Sequence, residues 1–295
     1  MNAKERGFLL LTSALGDPER KPLTVAQFRT LASRVSQMGK PEDNRDLKQE
    51  DLVALGYDRY TAMRIVGLME CGEALDRYLR RGWQMDCVPI TRVSDCYPGA
   101  VRQRLGLDAP GCLWAKGDIS LLNTPAVALV GSREMAEPNR EFAELAGMEA
   151  AKQGITLVSG NARGSDRTAQ DACLENGGKV ISVVADELQK YPLKKNVLYL
   201  AEDGFDLPFS GQRALSRNRV IHSLGYLVLI AQSDLGVGGT WDGTTKNLRH
   251  GWSPVFCFDD GSPAAREFEQ MGAVPIGKEQ LSNLSALQTD IKPFL

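Results

Sequence analysis

The chain has 295 residues, with 35 Lys and Arg against 37 Asp and Glu, for a formal net charge of −2. With 43% hydrophobic and 24% charged residues, this composition excludes a disordered chain, a collagen-like chain and a disulfide-stapled miniprotein. Bulk charge gives no argument for nucleic acid, so any such function must rest on a local patch.

Six cysteines (Cys71, Cys87, Cys96, Cys112, Cys173 and Cys257) form no C-x-x-C, and only His222 and His250 supply imidazoles. Zinc sites and histidine-based catalysis therefore lack support. Scattered cysteines fit the reduced thiols of a cytoplasmic protein. The positive Met1–Arg6 stretch and the apolar Gly7–Leu11 run begin as a signal peptide would. The run is short, Thr12 and Ser13 interrupt it, and charged residues follow at 17–21. We read it as an opening amphipathic helix. No stretch approaches the length of a membrane span.

Residues 1–85 read as a small helical domain. Phe28, Leu31, Val35 and Met38 recur at helical spacing. Leu52, Val53 and Leu55, then Met63, Ile65, Val66, Leu68 and Met69, mark two further short helices. Gly39-Lys40-Pro41 and Leu55-Gly56-Tyr57 are the expected breaks. Residues 86–125, with Pro89, Pro98, Pro110 and Pro125, read as a lead-in of loops and short strands.

From residue 126 the pattern changes. Apolar runs at 126–130, 155–158, 180–184, 227–230 and 254–258 read as strands. The first three are separated by helical patterns at 138–153 and 165–176. Such alternation builds βαβ units and a buried parallel sheet. The expected fold is α/β: a Rossmann-like, doubly wound, mostly parallel sheet over 86–295, preceded by the all-helical domain.

Ligands of such sheets sit beyond the carboxyl ends of the strands. Three segments fall there: Gly131-Ser132-Arg133, Ser159-Gly160-Asn161-Ala162-Arg163-Gly164-Ser165 and Gly236-Val237-Gly238-Gly239-Thr240. Glycines permit close approach, and helix N-termini offer unpaired N–H groups to an anion. Together they describe a phosphate-binding rim, with Arg133 and Arg163 suited to phosphate. None is G-x-G-x-x-G or a Walker A motif, so no cofactor is indicated.

Arg213, Arg217 and Arg219 lie in one run without an acid. That run is as readily a solvated face as a binding surface. Lys190, Lys194 and Lys195 interleave with Tyr191 and Tyr199, a pattern that suits single-stranded nucleic acid. Tyr191 is equally readable as a core or turn residue. Asp166, Asp186 and Glu187 follow strands, but none has a nearby histidine, metal cluster or activated nucleophile, and no G-x-S-x-G occurs. No catalytic residue and no enzymatic activity is assigned.

The segments VALVGSRE (127–134), VSGNARGSDRTAQDAC (158–173), GGKVISVV (177–184), YPLKKN (191–196) and LSRNRVIHSLG (215–225) occur in that order. Together with VSDCYPGAVRQRLG and LWAKGDISLLN at 93–123, this resembles the DNA-processing protein A family, DprA/Smf. The resemblance implies a non-enzymatic, homodimeric single-stranded DNA-binding protein that helps to load a RecA-type recombinase. It implies a DNA-binding rim of Gly131, Ser132, Arg133, Ser159, Gly160, Lys194 or Lys195, Arg217, Asn218 and Arg219, to which the loop reading above adds Asn161 and Arg163. The chain departs from the family pattern at Gln170, where a histidine is usual, and at IAQSDLGVGGT (230–240), which lacks the usual glutamate. The residues after about 275 leave no room for the winged-helix domain of many members. These departures are compatible with a divergent branch working beside a co-encoded effector or toxin in phage defence. The alternative from another class is a phosphoribohydrolase-like enzyme or nucleotide sensor, using Asp166 or Glu187 on the same rim.

Overall fold

The computed structural model describes residues 1–38 and 47–287. The expected break at Gly39-Lys40-Pro41 lies outside the described residues.

Five helices come first: α1 (Ala3–Thr12), α2 (Val25–Gln37), α3 (Gln49–Ala54), α4 (Arg59–Met69) and α5 (Gly72–Gln84). Local chemistry starts the first two. Asn2 and Glu5 cap α1 reciprocally, as Thr24 and Gln27 cap α2. Leu11, Leu31, Leu52, Ala62, Ile65 and Leu68 converge on one apolar cluster. The turn expected at Leu55-Gly56-Tyr57 links α3 to α4, with Gly56 at φ +86°.

The lead-in supplies β1 (Cys87–Thr91), α6 (Gly99–Leu105) and β2 (Cys112–Gly117). Then follow β3 (Ala126–Val130), α7 (Glu137–Lys152), β4 (Thr156–Ser159), α8 (Ser165–Glu175), β5 (Val180–Val184) and β6 (Val197–Glu202). The rest is α9 (Gly211–Ser216), α10 (Asn218–Leu224), β7 (Val228–Ile230), α11 (Gly238–His250), β8 (Val255–Phe258), α12 (Pro263–Gln270) and β9 (Val274–Ile276). The five expected apolar runs are β3, β4, β5, β7 and β8. Strands β6 and β9 fall outside those runs, although β6 holds an apolar run of its own, VLYLA at 197–201. The run in β6 directly follows the Lys194-Lys195 pair and Asn196, and β9 is short and contains Pro275.

Among the described residues these strands form one sheet in the order β1-β2-β6-β5-β4-β3-β7-β8-β9. From β6 to β9 every pairing is parallel, while β1 and β2 add an antiparallel edge. The chain winds outward from β3 through β4, β5 and β6, then returns to the other side of β3 as β7, β8 and β9. The sheet is thus doubly wound, with its switch point between β3 and β7.

Alternate residues of β3 feed opposite cores. Ala126, Ala128 and Val130 face Val220 and Ile221 of α10. Val127 and Leu129 face Phe142, Ala143 and Ala146 of α7 and Ala169 of α8. Burial on both faces is why these strands read as continuous apolar runs. A third core joins the early helices to the sheet. Tyr78 of α5 meets Trp114 of β2 at 5.3 Å between ring centroids, and Trp114 meets Phe205 at 4.7 Å. Beside it, Asp206 accepts hydrogen bonds from Tyr78 Oη at 2.7 Å and from Arg81 at 2.9 Å. Among the described residues, no helix is long and apolar enough to cross a membrane.

Candidate nucleic-acid interface

A cleft of about 960 Å³ opens at the carboxyl ends of β3 and β7, at the switch point. All three glycine-containing segments reach it. Gly131, Ser132 and Arg133 come from the loop after β3, Ala162 and Arg163 from the loop after β4, and Val237 to Thr240 from the start of α11. Arg217 and Asn218 join from the α9–α10 junction.

The glycines serve the protein's own packing. A β-carbon on residue 131 would overlap the Ser165 side chain, so Gly131 lets the first turn of α8 close onto the β3 loop. Ser165 fixes this approach, because its N–H and Oγ both donate to the Ser132 carbonyl, at 3.2 and 3.0 Å. Gln232, where the family pattern has a different end to the strand, ties the same loop from the other side. Its carbonyl accepts from Ser132 N at 3.0 Å and its Oε1 from Ala136 N at 2.9 Å. Gln170, the other departure, is buried and donates to Ser182 Oγ at 3.4 Å.

Side-chain caps do not by themselves separate the helices at the cleft from the rest, since Ser210 caps α9 there and α5 and α6 lack a cap elsewhere. Asn2, Thr24, Asp58 and Ser262 cap α1, α2, α4 and α12 with their side chains. No side-chain cap is present at α7, α8 or α11. The α8 terminus is satisfied internally, since Ser132 and Ala162 carbonyls accept from Ser165 N and Arg167 N. The first turn of α11 keeps Gly238, Gly239 and Thr240 N–H groups free of any such partner among the described residues. Uncapped N–H groups beside a cleft are suited to an anion.

The arginines divide into two groups. Arg217 is buried at the cleft floor, where its Nη2 donates to the Gly160 carbonyl at 3.1 Å and lies 4.0 Å from Asp166 Oδ2. Its Nε has no hydrogen-bond partner among the described residues. Burial pushes the Asp166 carboxyl up, opposed by Arg217. Burial pulls the Arg217 guanidinium down, opposed by Asp166. Arg219 turns away from the cleft. It pairs with the buried Glu202 at 2.7 Å and donates to the Asp108 carbonyl at 2.9 Å. Arg213 is likewise structural, donating to the carbonyls of Ala185, Leu207 and Pro208 at 2.7 to 2.9 Å. Arg133 and Arg163 are exposed. Arg163 pairs with exposed Glu134 at 3.2 Å, and Arg133 has no side-chain partner among the described residues.

Asn218 is held in the floor by its donation to the Gly239 carbonyl at 2.9 Å. Ser159, Gly160 and Asn161 lie behind the cleft lining rather than on it. Ser159 and Gly160 are buried, and Asn161 takes the left-handed conformation at φ +59°. Lys194 and Lys195 are exposed on the loop between β5 and β6, outside the lining. The aromatic partner expected beside them is absent from the surface: Tyr199 is buried in β6 and stacks on Tyr191 at 4.9 Å. Asp186 and Glu187 are both paired with Lys190, at 2.9 and 3.3 Å, away from the cleft. Among the described residues no group of three or more His, Cys, Asp and Glu is placed to hold a metal ion.

Sequence reading missed the apolar part of the lining, Phe209 above all. Phe209, Leu215 and Val237 form it, with 56%, 46% and 66% of their surface exposed. The available signal was an aromatic between Pro208 and Ser210, just before a helix, where nothing requires an apolar side chain. The cleft therefore offers exposed arginines, uncapped backbone N–H groups and an exposed aromatic ring, with the start of α11 lying against Leu215.

Residues 89–249 match the family described as DNA recombination-mediator protein A. The chain is 33% identical over 216 residues to the DNA processing protein DprA of Streptococcus pneumoniae, a span of 60% of this chain and 76% of that protein. It is 30% identical over 142 residues to Protein Smf of Escherichia coli K12, covering 44% of this chain and 38% of that one. The X-ray structure of S. pneumoniae DprA superposes with a TM-score of 0.67 at 24% identity, over 90% of this chain and 99% of that chain. DNA processing protein A of Helicobacter pylori, whose structure is described for its single-stranded DNA binding mode, superposes with a TM-score of 0.57 at 25% identity, over 67% of this chain and 94% of that one. On the family match, the relatives and the fold together, the chain belongs to the DNA recombination-mediator protein A family, the DprA/Smf proteins.

Proposed function

We propose that this protein binds single-stranded DNA in the switch-point cleft as a non-catalytic step of DNA processing. The observation that carries the reading is the meeting of cationic, N–H and aromatic groups in one cleft. Arg133, unpaired among the described residues, the exposed Arg163 that shares Glu134, and the uncapped N–H groups of α11 suit phosphates, while exposed Phe209 suits an unstacked base. Only a single strand presents both along its length, because a duplex keeps its bases stacked inside. The single-stranded DNA binding named for the H. pylori relative supports the same reading.

The experiment is a binding comparison at fixed salt between a single-stranded oligonucleotide, its duplex and free nucleoside monophosphates. The expected order places the single strand tightest, with no free base released from the monophosphates. Equal affinity for the duplex overturns the single-strand reading. Release of base that is lost on Asp166→Asn replaces it with a phosphoribohydrolase.

The binding unit we propose is a homodimer, and its partner a RecA-type recombinase or a co-encoded effector, both on the strength of the family resemblance. Sedimentation of the free protein tests the first. Recombinase filament assembly on protein-coated single strands tests the second, and unchanged assembly favours the effector.

A further inference from the structure

Two hollows flank the cleft, and they differ in charge. On the α7–α8 side a groove shares Arg133 and Arg163 with the cleft and adds Arg140 and Arg167, against Glu134 and Asp171. On the β7–β8 side the hollow shares Asp234 with the cleft, adds Asp259 and Asp260, and is lined by no Lys or Arg.

The added arginines are loosely held. Arg140 Nε stands 3.6 Å from Glu137, with both side chains about half exposed or more (49% and 74%). Among the described residues the Arg167 side chain donates only to Asn161 Oδ1, at 3.5 Å. Exposed pairs of this kind contribute little and exchange readily for another anion. Both residues sit in the first turns of helices that start at the cleft.

We infer that the arginine groove takes the phosphates of the strand where it leaves the cleft. The bound strand then runs out across the first turns of α7 and α8, and the three carboxylates on the β7–β8 side bar the other exit. A polyanion follows the positive side because like charges at this range are incompletely screened. This inference rests on the single-stranded DNA reading and gives it a direction and a longer footprint.

The test is the double variant Arg140→Ala plus Arg167→Ala, titrated with oligonucleotides of about four and about sixteen nucleotides, the range of single-strand site sizes. A matched control, Lys246→Ala plus Arg249→Ala, removes the same charge near the far end of α11. The expected result is a roughly tenfold or greater loss on the long oligonucleotide only. Its log–log salt slope should shrink by about 1.4, or 0.7 for each phosphate contact. Unchanged affinity for the long strand overturns the groove, as does equal loss at both lengths or equal loss in the control. Failure of the wild-type protein to bind the long strand instead overturns the DNA reading itself. Both arginines are exposed, so folding is checked by an unchanged thermal melt.

Discussion

The guanidinium of Arg217 occupies the space that a β-carbon on residue 160 would need. Gly160 is therefore a seat for an arginine, and the cleft floor exists only while that seat is open.

Gly160→Ala is expected to displace Arg217 and to destabilise the protein by about 1–3 kcal/mol, the usual cost of forcing atoms into a packed site. Urea denaturation measures this. An unchanged midpoint means that Arg217 has another position of equal energy.

Arg217→Ala leaves Asp166 buried without its cation, which is expected to cost about 2 kcal/mol or more. Asp166→Asn in the Arg217→Ala background should recover part of the loss. A double-mutant cycle that shows no coupling removes the ion pair from the account. Substitution of Arg217 or Arg219 thus reports on folding before it reports on DNA.

Arg133→Ala plus Arg163→Ala makes the opposite separation. Both side chains are exposed, so stability should change by no more than about 0.5 kcal/mol. Single-strand affinity should fall, and the salt slope should shrink by about 1.4. A retained slope places the phosphates elsewhere.

Phe209→Ala should weaken binding by about 1–3 kcal/mol and leave the salt slope unchanged, since stacking releases no counterions. A change in slope without loss of salt-independent affinity assigns Phe209 no stacking role.

Two buried groups pull stability in opposite directions with pH. Burial holds His222 neutral and pushes its pKa down to about 3. The unfolded chain binds this proton near pH 6.5 and the folded chain does not, so stability is lost as pH falls below about 6.5. Burial pushes Glu202 up to about 7, with Arg219 opposing. There the folded chain holds the proton more tightly, so stability falls as pH rises from about 4.5 to 7. His222→Gln and Glu202→Gln, each compared with wild type by urea denaturation at pH 5 and 7.5, should change the pH dependence with opposite signs. Shifts of the same sign contradict the assignment.

The βαβ core was legible because burial on both faces writes strands as unbroken apolar runs. Strand β6 is just as apolar at 197–201, but it closely follows Lys194 and Lys195, and that lysine cluster drew its Tyr199 into a surface reading when in space Tyr199 packs against Tyr191. The glycine segments were legible as close approaches, but not what approaches them, since Ser165 and Arg217 are distant in the chain. The arginine run shows the limit most clearly. Spacing groups Arg213, Arg217 and Arg219, yet the α9–α10 junction falls at Arg217 and sends each to a different partner. Those partners, Asp166 and Glu202 among them, are fixed by the tertiary fold alone.

The segment that carries Phe209 is fastened at two points. Upstream, Asp206 is gripped by Tyr78 and Arg81 of α5. Alongside, Arg213 holds the Leu207 and Pro208 carbonyls. The helical N-terminus thus works as a guy-line for the aromatic side of the binding cleft without lining it. Loss of that tie is therefore expected to loosen the turn that presents Phe209 to the cleft.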